Sequence, residues 1–428
     1  MWIEGVREKD IAPVEQIVAR RPPEASYVRS RPGLMITTKA SPLLNELCQR
    51  YAAEFGRAPA RRFFAPGRVN LVGAHLDYNG GDVLPMAVDR GVYAVASLRN
   101  DGRICLRSLD QQLQIDLPQD QVGERGRPEW GWANYPLGVW HGFAKEHGKR
   151  AGLQMVFAGD LPMASGLSSS AAIEVVTALA LDALHGLRLP HLELAMLAHR
   201  AENGFVGVRC GIMDQFASAL AQPGKVLWLQ CSGPRWEHVP FDPRVCEVLV
   251  MDTKKPRLLA KTGFNERVAE CAAAHAVLRT KVRDLPHLAM YDLADLEQAR
   301  ADMPPVVYLR ARHVVTEMVR LRLGIQALRA GDYPELGRQL NASHASTASD
   351  YAVSCEELDA ITAAARAHPA VYGARLTGAG FGGCAIALIQ PGSSGVVGRA
   401  VAEPFAQRFG VSPSFDLLRI GSGPGEIR

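Results

Sequence analysis

The chain has 428 residues, 47% hydrophobic and 21% charged, which is enough apolar mass for two or three packed domains and too much for wholesale disorder. Its net charge is only +4, with acids and bases interspersed, so the concentrated basic stripe of a nucleic-acid binder is missing. The eight cysteines (Cys48, Cys105, Cys210, Cys231, Cys246, Cys271, Cys355 and Cys384) form no Cys-x-x-C pair. That excludes zinc spacing and a dense disulfide framework, and predicts buried free thiols in a reducing compartment.

Residues 1–40 are Arg-rich, broken by Pro22, Pro23 and Pro32, and lack steady periodicity. They read as an appended or poorly ordered extension without the apolar core of a signal peptide. No later stretch is apolar enough to span a membrane, so a cytoplasmic location is expected, with no membrane partner. Ser41 opens a helical pattern, Leu43, Leu44, Leu47, Tyr51 and Phe55, which Gly56 closes. A strand-like run, Arg62 to Leu71, feeds the first unusual loop. Alternation predicts strands over Gly91–Leu98 and Ile104–Leu117, joined at Asn100-Asp101-Gly102. Helical spacing covers Tyr135–His147, Ala171–His185 and Leu192–Glu202. Strands recur at Lys225–Gln230 and Cys246–Met251. Helices then span Asn265–Arg279, Arg310–Ala330 and Glu356–His368, before a strand at Cys384–Ile389. The mixture lacks a regular βαβα rhythm, which favours α+β over a doubly wound sheet.

Three loops carry chemistry. Leu161-Pro162-Met163-Ala164-Ser165-Gly166-Leu167-Ser168-Ser169-Ser170-Ala171-Ala172 precedes an apolar helix. Small residues let backbone N–H groups approach an anion at a helix N-terminus, and the serines add hydroxyls suited to phosphate or Mg²⁺. An ordinary Ser-rich helix cap is the plainer alternative. Neither a Walker A signature nor the protein-kinase signature set occurs. The earlier loop, Gly67-Arg68-Val69-Asn70-Leu71-Val72-Gly73-Ala74-His75-Leu76-Asp77-Tyr78-Asn79-Gly80-Gly81, sets a cation, an imidazole, a carboxylate and amides between glycines, a pattern suited to a polyhydroxylated ligand. Asp214 lies in an apolar stretch after Cys210-Gly211, where an unpaired charge is expensive, so it either caps a helix or is a functional carboxylate with a cationic partner. The last loop, Leu376-Thr377-Gly378-Ala379-Gly380-Phe381-Gly382-Gly383-Cys384, needs unusual backbone angles, here expected between a strand and a helix.

In order and spacing, these loops resemble the three motifs of the GHMP kinases, and the first resembles the galactokinase signature. Trp132-Ala133-Asn134-Tyr135, Cys210-Gly211-Ile212-Met213-Asp214-Gln215, Asn341-x-Ser343-His344 and Asp350-Tyr351-x-Val353-Ser354 are also galactokinase-like, so the resemblance runs from about Ala40 to the C-terminus. It implies a two-domain α+β fold with the site in the cleft: residues 41–240 with a left-handed βαβ unit, and 241–428 ferredoxin-like. It implies ATP as co-substrate, Mg²⁺ as cofactor and a sugar 1-phosphate as product, with no obligate protein partner. Asp214 would be the catalytic carboxylate and Arg68 would neutralise charge on the transferring phosphoryl group. Ser170 and Glu202 match the family's Mg²⁺ ligands. Gly166, Leu167, Ser168, Ser169, Gly378 and Gly380 match its ATP-binding loops, and Trp132 matches a residue near adenine. His75, Asp77, Gly211 and Phe264 match sugar-contacting positions.

Departures from the family bear on the sugar. Ala74 stands where galactokinases carry a glutamate that contacts the exocyclic hydroxymethyl group, so one acceptor and one negative charge are gone. A substrate with a carboxylate there would escape repulsion, and Arg209 could pair with it. The stretch Arg267-Val268-Ala269-Glu270-Cys271 leans the same way, towards galacturonokinases. Phe264 replaces a tyrosine, and Ala164 replaces a glycine of the phosphate loop. D-Galacturonate is therefore ranked narrowly ahead of D-galactose, and a 6-deoxy sugar also fits. A non-catalytic sugar and ATP sensor is the rival, against which stands the retention of Arg68, Ser170, Glu202 and Asp214 together.

Overall fold

Leu47 and Tyr51, four residues apart and both buried, seat a first helix, α1 (Ser41–Phe55), against a sheet, and Gly56 ends it in the left-handed region (φ 68°). The computed structural model describes residues 41–161, 166–208, 210–256 and 260–427. The extension 1–40, Ala164 and Arg209 lie outside the described residues. In chain order follow β1 (Arg61–Asn70), β2 (Asp82–Val83), β3 (Pro85–Arg99), β4 (Arg103–Ser108), β5 (Ile115–Pro118), α2 (Asn134–His147), β6 (Gly152–Gly159), α3 (Ser169–His185), α4 (His191–Arg200), α5 (Met213–Ala219), β7 (Lys225–Gln230) and β8 (Arg235–Pro240). Then come β9 (Glu247–Asp252), α6 (Ala260–Lys281), α7 (Leu293–Gln298), α8 (Pro305–Ala330), α9 (Tyr333–Ser349), α10 (Glu356–Arg366), β10 (Val371–Leu376), β11 (Cys384–Ile389), α11 (Ser394–Phe409), β12 (Ser414–Leu418) and β13 (Gly425–Glu426).

Among the described residues a six-stranded sheet runs in the order β13-β1-β3-β6-β4-β5. Its β4/β6 pair is parallel, and β5 and α2 lie on the connection between the two strands. Alternation along β1 sends Phe63 and Phe64 to opposite faces. Phe64 joins Tyr93, Val95 and Val156 under α1, whereas Phe63 joins the main core with Ala94 and Ala96. The apolar helix α3 packs on that second face, against β1 and β3. The strand expected over Ile104–Leu117 is split into β4 and β5, since residues 109–114 leave the ladder.

β9, β10, β11 and β12 make an antiparallel sheet in the order β10-β11-β9-β12. With helices between β9 and β10 and α11 between β11 and β12, this is the ferredoxin-like arrangement expected of the second half. A three-stranded sheet, β2-β7-β8, completes the α+β fold. The glycine loop 377–383 joins two antiparallel strands, β10 and β11, rather than a strand and a helix. All eight cysteines are free. No helix among the described residues is long and apolar enough to cross a membrane.

Candidate active site

β1 ends at the site because Arg68, 5% exposed, turns its guanidinium inward. Its Nε donates to Asp214 Oδ1 at 2.8 Å, Nη2 lies 2.6 Å from the same oxygen, and Nη1 donates to the Gly166 carbonyl at 2.7 Å. The Arg68 backbone N–H bonds the Leu167 carbonyl at 3.0 Å, so the phosphate-type loop is laced to β1. Ser168, at φ 59° just before α3, donates from Oγ to Asp214 Oδ2 at 2.6 Å. Both oxygens of Asp214 are thus engaged by charge-assisted bonds, the short and strong kind. Ser169 and Ser170 begin α3, whose N-terminus faces the same region.

Asp77 belongs to the first loop. A Cβ added at Gly211 would fall on its carboxylate, so only glycine lets these loops meet. Burial and the nearby charge of Asp214 push the Asp77 carboxyl up to about 6. His75 is 8% exposed and left-handed (φ 59°). Its Nδ1 lies 2.9 Å from the Tyr78 hydroxyl, and its Nε2 is buried without a partner. Burial holds its imidazole down to about 3, hence neutral. Phe264 on α6 meets Tyr78 edge-on and lies tilted towards His75, with centroids 5.1 and 6.1 Å away. Ala74 is only 4% exposed, so its methyl does not open to solvent.

Glu202 sits on a wide, π-type turn, Ala201–Val206, a local distortion that often marks functional positions. Cys210 and Gln215 hydrogen-bond its carboxylate, Ser170 lies close enough to favour its ionised form, and burial raises its pKa. Gln215 Nε2 also donates to the fully buried Glu174 at 3.0 Å. A buried cluster of acids with neutral donors around it is short of positive charge. Ser170 and Glu202 supply the hard oxygens that Mg²⁺ prefers, so the residues present fit that ion. In the last loop, Gly378 (φ 77°) and Gly380 (φ 83°) adopt angles foreign to side-chain residues. Trp132 stands apart from the carboxylates: its indole N–H donates to the Leu113 carbonyl at 3.0 Å and its ring meets Phe157 edge-on.

The structure thus brings Arg68, Asp214, Ser168, Gly166, Leu167, Asp77 and Gly211 together, with Ser170 and Glu202 close to one another beside them. Sequence reasoning missed Glu174 and Gln215, and also Glu317 and His313, which bond the backbone of the first loop. Glu174 does leave a trace, an acid in an otherwise apolar run at i+4 from Ser170.

Comparison with known proteins falls on the same segments. The model of the GHMP kinases N terminal domain matches residues 134–222, the galactokinase galactose-binding signature matches 49–98, and the GHMP kinases C terminal model matches 325–407. The galactokinase of Staphylococcus carnosus is 38% identical over 391 residues, 90% of this chain and 100% of that protein. That of Exiguobacterium sibiricum is 37% identical over 383 residues, 89% of this chain and 97% of that protein. The crystal structure of Lactococcus lactis galactokinase complexed with galactose superposes with a TM-score of 0.85 at 36% identity, covering 90% of this chain and 99% of that one. Methanococcus jannaschii mevalonate kinase, at 17% identity and a TM-score of 0.61, shares the fold.

Proposed function

This chain belongs to the galactokinase family of the GHMP kinases, and from that premise we propose that it phosphorylates the anomeric hydroxyl of a galactose-configured sugar. It is an ATP-dependent sugar kinase, and the products are ADP and an α-sugar 1-phosphate. The observation that carries the reading is Asp214 gripped by Arg68 at one oxygen and by Ser168 at the other. A rigid carboxylate beside a phosphate-type loop suits a hydroxyl nucleophile, and the proton leaving that hydroxyl passes to Asp214. Little early proton removal is needed in a loose phosphoryl transfer, so a modest base suffices. Arg68 reaches the Gly166 carbonyl as well as Asp214, which suits it to balance charge on the transferring group. Asp77 and His75 orient the sugar, and Gly166–Ser170 with Gly378 and Gly380 cradle the nucleotide. Ser170 and Glu202 would hold Mg²⁺, which when bound offsets phosphate charge. A sensor would not need the Arg68–Asp214–Ser168 grip, and we set that alternative aside.

For the sugar's exocyclic group we propose a carboxylate, making galacturonate the preferred substrate ahead of galactose. Ala74 supports it, because it supplies no negative charge that would repel such a group. The test is ADP release with ATP and Mg²⁺ against galacturonate, galactose and fucose, for wild type and Ala74→Glu. Wild type should favour galacturonate, and the variant should move the ratio of specificity constants about tenfold or more towards galactose. A galactose preference in wild type, or an unmoved ratio, removes the carboxylate reading and leaves a galactokinase.

A further inference from the structure

Gly73 and His75 hold a backbone that few sequences adopt, at φ 93° and 59°. The left-handed region is uncommon for a residue with a side chain, and successive amides in such a turn converge on an anion. Here the anion is Glu317 of α8, whose Oε1 accepts from the Gly73 and Ala74 N–H groups at 3.0 Å each. One turn earlier on the same helix, His313 Nε2 lies 3.1 Å from the Ala74 carbonyl. A carbonyl only accepts, so that nitrogen carries the proton, while Nδ1 accepts from Ser346 Oγ at 2.8 Å. Burial lowers His313 to about 4, which keeps it in this neutral form. Glu317 is fixed in turn by Ser343 Oγ and Arg320 Nε, each at 2.6 Å, with Arg375 3.9 Å away. Both backbone groups of Ala74 are therefore tied to one helix by two fully buried side chains.

The consequence falls on the next residue. His75 Nε2 is buried and unpartnered, whereas buried polar atoms are nearly always satisfied. An orphan nitrogen held in a strained turn points to a ligand group that completes it. We propose that Glu317 and His313 are positioning residues for sugar recognition, holding Gly73–His75 in the conformation that offers His75 to a sugar hydroxyl. The proposal rests on the sugar-kinase reading above, and neither residue touches the reacting atoms.

The experiment is calorimetric titration of wild type, His313→Leu, His313→Gln and Glu317→Gln, once with galacturonate or galactose and once with a non-hydrolysable ATP analogue, beside steady-state kinetics. His313→Leu should weaken sugar binding and raise the sugar KM about tenfold or more, with kcat within about threefold and nucleotide affinity unchanged. His313→Gln, which keeps an N–H near the Nε2 position, should recover most of the loss. Glu317→Gln should act in the same direction as His313→Leu; if it fails to fold, the His313 pair decides alone. Unchanged sugar affinity in folded His313→Leu overturns the proposal. So does a joint fall of sugar and nucleotide affinity that His313→Gln does not rescue. Wild type that binds neither sugar would overturn the sugar-kinase reading itself, and this proposal with it.

Discussion

At the scale of single residues, the site places two carboxylates, Asp77 and Asp214, close enough to feel each other, with Arg68 as the nearby cation. Asp214 takes the guanidinium directly, and Asp77 bears the consequence, its carboxyl lifted to about 6 by burial and by Asp214. A protonated Asp77 can accept fewer sugar hydroxyls, so binding should require its ionised form. Sugar KM should therefore rise as pH falls below about 6, approaching tenfold per pH unit, while Asp77→Asn should bind weakly with a flat profile. A wild-type KM that stays level from pH 7 to 5 would remove Asp77 from that role. The sign for stability runs the other way. Asp77's folded value lies above the unfolded 3.8, so its contribution to the unliganded fold is present at low pH and lost as pH rises through 6. The sequence disclosed Arg68, Asp77 and Asp214 because a charge among glycines or apolar residues is unusual. It did not disclose Glu317 or His313. On a long helix such as α8 an acid and an imidazole read as a solvated face, and only tertiary contact with Gly73 and Ala74 reveals them as buried.

At the scale of elements, the last glycine loop is a hairpin connection under constraint. Gly380 sits at φ 83°, and a Cβ there would collide with the Val353 carbonyl. The next residue, Phe381, bonds that same carbonyl from its N–H at 2.7 Å and lays its ring where a Cβ on Gly263 would be. Gly380→Ala should thus cost more than about 1 kcal/mol in denaturant unfolding and weaken ATP binding. A variant of wild-type stability would mean that the loop relaxes freely. Elements with strong periodicity were legible to within a few residues, among them α2, α3, β7 and β11. Others were not. α9 (Tyr333–Ser349) is rich in Ser and Ala, which blurs its apolar stripe, and α11 carries Pro404 within it. β8 mixes Arg235, Glu237 and His238 with few apolar residues, β10 is interrupted by Gly373 and Arg375, and β12 carries Asp416, so no clean alternation registers.

At the scale of the whole molecule, the end of the chain returns to its beginning. After β12, the Arg419 carbonyl accepts from Asp89 N at 3.0 Å, Arg419 N donates to the Asp89 carboxylate at 3.0 Å, and Gly421 N bonds the Ala87 carbonyl at 2.9 Å, all on β3. β13 then pairs with the outer edge of β1, and Glu426 meets Arg61 at 2.7 Å. The edge of β1, the strand that carries Arg68, is thereby covered rather than left open. We propose that the division near residue 240 separates two folding units, each with its own sheet, and that residues 419–427 are a main reason they unfold together. Wild type should melt in one calorimetric transition, with calorimetric and van't Hoff enthalpies equal. Removing residues 419–428 should separate the melt into two steps, the first involving the six-stranded sheet that has lost its β13 edge. The contacts of Glu317 and His313 with the first loop also join the halves. A truncated protein that still melts in a single step would show that those contacts suffice and that the terminal segment is not the coupling element.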